Sequence, residues 1–261
     1  MKYIQFFLIL SMLQMAVFLN IHAEEVVSKN KIGVDEKTGQ TLNLNLVFND
    51  EDGKKITLKE LVDVPVILVP VYLTCPHVCN MQLSALASAI SEVKLRPLKD
   101  YKIITISFDE NDTYQLAKEK KINYLSAIGK DFPAESWKFL TGDKNTIKTF
   151  TDSIGYHYLR VGKDFQHPVS LVFITKEGKI VRYLYGTNIL PFDITLALNE
   201  ASTGQVGTSI KRQVLNFCFA YDTNENKYSF NILKISASII ILFVIIIFLV
   251  LLLGGKKRWK K

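Results

Sequence analysis

The chain has 261 residues, 48% of them hydrophobic and 22% charged, and a formal net charge of +7. This balance suits a globular chain with apolar ends and excludes a disordered or collagen-like one. It does not mark a nucleic-acid binder: Lys256, Lys257, Arg258, Lys260 and Lys261 crowd the last six positions, the remaining Lys and Arg are interleaved with Asp and Glu, and there is no Gly-rich phosphate loop.

Residues 1–23 read as a secretory signal, with Lys2 as the positive start, an apolar run from Ile4 to Leu19, and Ile21-His22-Ala23 as the cleavage site. An uncleaved N-terminal anchor is the rival reading. A mitochondrial presequence is disfavoured because the stretch has no arginine. Residues 24–40 are polar and read as a flexible lead-in to a domain spanning 41–205.

Thr41 to Phe48 alternates apolar and polar residues, the pattern of a half-buried strand. Asn49 to Gly53 is a turn, Lys55 to Leu58 a partner strand, and Thr57 can cap a short helix through Leu61. Val66 to Leu73 is β-branched and apolar on both faces, as in a buried parallel strand, and Met81 to Val93 reads as the following helix. Tyr101 to Phe108 is a second buried strand, after which Asp112 is a candidate N-cap for a helix through Ile122. Trp137 to Thr141 reads as a strand, Asp143 as the cap of a helix with Ile147 and Phe150, and Tyr156 to Val161 as a strand before a turn at Gly162 to Asp164. Val169 to Ile174 and Ile180 to Tyr185 flank a turn and form an antiparallel hairpin. Pro191 suits the first turn of a last helix. The β-α-β-α order, then a hairpin and a helix, predicts a thioredoxin-like α/β sandwich, a central mixed sheet flanked by helices.

Residues 206–231 read as a linker, with Tyr221 to Lys227 as a polar turn. Residues 232–254 are almost entirely Ile, Leu, Val and Phe, long enough to cross a bilayer as one helix. The basic tail at 255–261 would stay on the cytoplasmic side, leaving the domain outside.

Two of the three cysteines, Cys75 and Cys79, lie where the buried strand turns into its helix. Open α/β sheets place ligands at this end of their strands. Residues four apart on a helical turn share a face, so both sulfurs can meet at one spot. Free N–H groups at a helix start favour the thiolate. Such a pair can close a structural disulfide, exchange disulfides, or offer two thiolates to a soft metal, and two sulfurs with an imidazole suit copper. The spacing is one residue longer than the C-x-x-C of thioredoxins. Cys218, the third cysteine, reads as a packed free thiol.

The ordered motifs resemble the Sco/SenC family of copper-binding, thioredoxin-fold proteins of cytochrome c oxidase assembly. They are Thr74-Cys75-Pro76-His77-Val78-Cys79, Ser107-Phe108-Asp109, Trp137 to Gly142, His167 ahead of its hairpin, Arg182 to Gly186, and Cys218 to Asp222 before the apolar segment. The last of these is similar to a bacterial branch with a C-terminal membrane helix. The resemblance implies a copper ion held by Cys75, Cys79 and His167. It also implies a periplasmic copper donor or an oxidase subunit as partner, and single-pass residence in the bacterial inner membrane. From the residues alone, His167 before Pro168 is a loop histidine, and His77 and His157 read as surface or strand histidines. The chain departs from the family's best-known members at Asn80, where they carry proline, and in its shorter acidic loop from Asp109 to Asp112, which leaves those two aspartates as caps or loop anchors. Three functions compete: a non-enzymatic copper carrier, a thiol-disulfide oxidoreductase working through Cys75 and Cys79, and a peroxidase. The last ranks lowest because no arginine is placed to activate Cys75.

Overall fold

The computed structural model describes residues 32–129, 131–206, 219–222, 227–230, 240, 241, 243–245, 247 and 248. The signal segment, Cys218, the basic tail and most of the apolar segment at 232–254 lie outside the described residues. Among the described residues no helix is long and apolar enough to cross a membrane.

The core is a five-stranded sheet whose strands lie in the order Ile180–Tyr185, Ser170–Ile174, Val66–Val71, Lys102–Ser107, Trp137–Leu140. Its strands are β4 (Val66–Val71), β5 (Lys102–Ser107), β6 (Trp137–Leu140), β10 (Ser170–Ile174) and β11 (Ile180–Tyr185). β4, β5 and β6 run parallel, while β10 is antiparallel to both β4 and β11. Every residue of β4 is buried, as a central strand covered on both faces requires. Helix α2 (Val78–Glu92) returns the chain from β4 to β5, and α3 (Tyr114–Ile128) from β5 to β6. Successive right-handed crossovers in one direction leave both helices on the same face. There α2 packs between α3 and α5 (Pro191–Thr203). The expected thioredoxin-like sandwich is present.

Smaller elements complete the domain: β1 (Gly33–Val34), β2 (Val47–Asn49), β3 (Lys55–Thr57), α1 (Leu58–Leu61), α4 (Lys144–Ser153), β7 (Tyr156–His157), β8 (Leu159–Val161) and β9 (Asp164–Gln166); further along the chain, β12 (Phe219–Asp222) and β13 (Lys227–Phe230) pair as a hairpin of their own. Thr57 caps α1 in a reciprocal box with Glu60, Asp143 caps α4, and Pro191 opens α5, all as their sequences predict.

Four expectations need correction. The strand read over Thr41 to Phe48 shrinks to β2, because the Asn43 carboxamide accepts the Asn45 N–H at 3.0 Å and turns the chain first. Asp112 does not cap α3; Thr113 does, through the Leu116 N–H. The single strand at Tyr156 to Val161 divides, since its two halves pair with different partners, β1 and β9. The lead-in is held from Gly33 onward by the β1–β7 pairing and by the Gly39 N–H on the Ile180 carbonyl.

Candidate metal centre

The cysteine pair is brought together at the start of a helix that lacks an ordinary cap. His77 stands in the N-cap position of α2 without a capping side-chain bond. Instead the Cys79 N–H donates to Cys75 Sγ at 3.4 Å. A sulfur four residues upstream thus takes one of the orphan donors every helix start leaves. The two sulfurs do face one spot, although Cys75 reaches it from the turn ahead of the helix. That turn is fixed from the next strand: Asp112 accepts the Leu73 N–H at 2.5 Å and the Ser107 hydroxyl at 2.6 Å. Asp112 is therefore a loop anchor, and burial pushes its carboxyl above the ordinary aspartate range.

The third donor arrives through sheet register. β10 pairs with β4 so that Val172 faces Leu68, which carries the residues ahead of Ser170 past the carboxyl end of β4. His167 lies there, with Nε2 3.5 Å from Cys79 Sγ. One ligand atom from each of Cys75, Cys79 and His167 lies within 4.8 Å of the others. All three residues are buried, at 3%, 1% and 8% exposure. His77 is exposed, and His157 sits 3.1 Å from Asp35 Oδ2 at the surface, so neither joins the cluster.

The imidazole is oriented from behind. The Tyr156 hydroxyl donates to the Pro168 carbonyl at 2.6 Å and lies 3.0 Å from His167 Nδ1, which is also 2.9 Å from that carbonyl. With the hydroxyl proton on the carbonyl, Nδ1 brings its own proton, and Nε2 keeps a lone pair facing the sulfurs. Tyr72 meets the imidazole edge-on at 5.5 Å and Phe108 lies 5.2 Å away, making an apolar wall. The β8–β9 hairpin leading to His167 is pinned by Arg160, which donates to Asp109 at 2.6 Å and covers the Phe165 ring at 4.2 Å.

The two sulfurs differ in acidity. Hydrogen bonding from Cys79 holds the Cys75 thiol far below the usual range against its own burial, with help from the Tyr72 hydroxyl. Cys79 is pushed up, first by its bond to Cys75 and then by burial. The reduced pair therefore holds one thiolate and one thiol. Two sulfurs and one imidazole with no carboxylate form a donor set for a soft or borderline metal and a poor one for Ca²⁺ or Mg²⁺.

Sequence reasoning reached the cysteines from spacing but missed the supports. Tyr156 read only as a strand residue, and nothing in its neighbourhood marks its hydroxyl. Asn80 stood out only as a departure from proline, yet its Nδ2 donates to the Cys75 carbonyl at 2.9 Å.

A model of the SCO1/SenC family matches residues 34–198. The Arabidopsis thaliana protein SCO1 homolog 1, mitochondrial, is 29% identical over 177 residues, or 64% of this chain and 49% of that protein, so the chain spans about half the length of this curated relative. Among solved structures, an Aquifex aeolicus protein provisionally described as an electron transfer protein superimposes with a TM-score of 0.58 at 26% identity, covering 65% of this chain and 96% of that one. Arabidopsis thaliana ScoI with copper bound gives a TM-score of 0.50 at 23% identity over 62% and 98% of the two chains, and supports the fold.

Proposed function

The chain belongs to the SCO1/SenC family, and on that premise we propose that it binds one copper ion through Cys75, Cys79 and His167 and hands it on during cytochrome c oxidase assembly. The observation that carries this reading is the convergence of three buried donors from two distant parts of the chain, within 4.8 Å of one another. Copper would enter as cargo. The Cys75 thiolate and the His167 Nε2 lone pair are ready to meet it, whereas Cys79 must first give up its proton. Tyr72 and Phe108 keep water off the imidazole side.

We further propose that residues 1–23 direct export and 232–254 cross the bacterial inner membrane. The domain at 41–205 would then stand outside and the basic tail inside. An oxidase subunit or a periplasmic copper donor is the partner this placement serves.

The test is Cu(I) competition against bicinchoninate on the reduced full chain in detergent. Stoichiometric uptake is expected, with tight binding lost in Cys75→Ser, Cys79→Ser and His167→Ala. A reduced chain that takes up no copper would sink the proposal.

One observation favours a second reading, thiol-disulfide exchange on exported proteins. Cys75 and Cys79 are free thiols, and the acidified Cys75 has the character of an attacking thiolate. His167→Ala separates the two, since exchange would continue without the imidazole and copper delivery would stop.

A further inference from the structure

Asn80 uses both ends of its carboxamide. Nδ2 donates to the Cys75 carbonyl at 2.9 Å, and Oδ1 accepts from the Tyr124 hydroxyl at 3.0 Å and from Lys120 Nζ at 3.1 Å. Only this orientation satisfies all three partners, because a carbonyl cannot donate and an ammonium cannot accept. The far end of the bridge is rigid. Tyr124 is buried on α3, its ring stacked 6.1 Å from Trp137 and 6.2 Å from Phe139 on β6. Within the cysteine turn, the Cys75 N–H takes the Tyr72 carbonyl at 3.3 Å and the Cys75 sulfur takes the Cys79 N–H. The Asn80 bond holds the Cys75 carbonyl, so all three polar groups of that residue are engaged. A side chain without a donor at position 80 would leave the carbonyl unpaired and cut the turn off from α3.

We propose that Asn80 is a positioning residue for the metal centre: it fixes the Cys75 turn against α3 so that the Cys75 sulfur stays within reach of Cys79 and His167. The affinity part of this rests on the copper reading above, whereas the fixing of the turn does not.

The full chain, with Asn80→Ala, Asn80→Asp and Tyr124→Phe beside it, supplies three readouts: Cu(I) competition with bicinchoninate, amide exchange across the Cys75 turn in the copper-free protein, and the denaturant midpoint. Asn80→Ala is expected to bind Cu(I) about tenfold to a hundredfold more weakly, the usual cost of losing a support behind a ligand. Its turn should exchange faster, with the midpoint near that of the parent. Asn80→Asp keeps an acceptor for Lys120 and Tyr124 but cannot donate to the carbonyl, so it should fall with Ala, and Tyr124→Phe should lie between. Parent-like affinity in Asn80→Asp, or an affinity loss that tracks the midpoint across the variants, overturns the inference. If the parent itself takes no copper, the copper reading fails and exchange decides alone: a faster turn in Asn80→Ala supports the role of Asn80, and an unchanged turn overturns it.

Discussion

Tyr156 shows how one hydroxyl can set the chemistry of a site it does not enter. Its proton on the Pro168 carbonyl obliges His167 to keep its own proton on Nδ1, and the tautomer this selects is the one with Nε2 free. Tyr156→Phe removes the constraint while preserving the ring that packs against Phe108 and Tyr158. Copper affinity is expected to fall by about tenfold, in line with the loss of other partners behind metal-bound histidines. Competition titration measures this, and an unchanged affinity would mean that the Pro168 carbonyl alone orients the ring. At this scale the sequence was informative only where chemistry is local. Cys75 and Cys79 declare themselves by spacing, because four residues at a helix start can hardly avoid meeting. His167 does not, since 88 positions separate it from Cys79 and only the register of two strands joins them. The family resemblance supplied that residue.

Among the elements, the turn between β2 and β3 does more than reverse the chain. Glu51 is buried there and reaches two other elements: it pairs with Lys121 of α3 and Lys138 of β6, and accepts the N–H of Phe139, also on β6, at 3.2 Å. Burial by itself would raise its carboxyl, but the hydrogen bond and charge of Lys121 prevail and hold it below its ordinary value. Glu51→Gln leaves the buried Lys121 ammonium without its carboxylate, while Lys138 keeps Glu135, and should cost about 3 kcal/mol, read from denaturant unfolding at neutral pH. A carboxyl with a lowered folded pKa stabilises above its unfolded value, near 4.5, and that stability is lost as pH falls through the folded value. The gap between parent and variant should therefore narrow below pH 4.5, and a constant gap would assign the cost to packing. Gly155 offers a second check. Its φ is +62°, and a Cβ there would lie 1.9 Å from the Asp35 carbonyl oxygen, whose residue pairs with it beside β1. Gly155→Ala should cost at least about 1–3 kcal/mol from the backbone strain alone and loosen the entry to Tyr156. Strands and helices with strong periodicity were legible. The pieces that were not, such as β9 and the division of β7 from β8, are short and take their form from the partner they meet.

For the whole molecule, the order of assembly follows from where the donors lie. The two sulfurs come from one turn, but the imidazole joins only after β10 has inserted beside β4 and the β8–β9 hairpin has closed on Asp109. The three donors thus come together only in the folded domain, whereas an unfolded chain still offers the neighbouring thiols. Copper should stabilise the fold by the difference between those two affinities, and any binding to the unfolded chain reduces the gain. If the unfolded chain bound no copper, an excess of 100 times the dissociation constant would be worth about 2.7 kcal/mol. Affinity from the two thiols alone sets how far the measured shift falls short. His167→Ala leaves both thiols in either state and removes the ligand that only folding supplies, so the copper-induced rise in denaturant midpoint should largely vanish even where some copper stays bound. Measuring that rise for the parent and for His167→Ala, each with and without Cu(I), isolates what the long-range contact contributes. Equal rises in the two proteins would show that the local cysteine pair binds copper without help from the sheet.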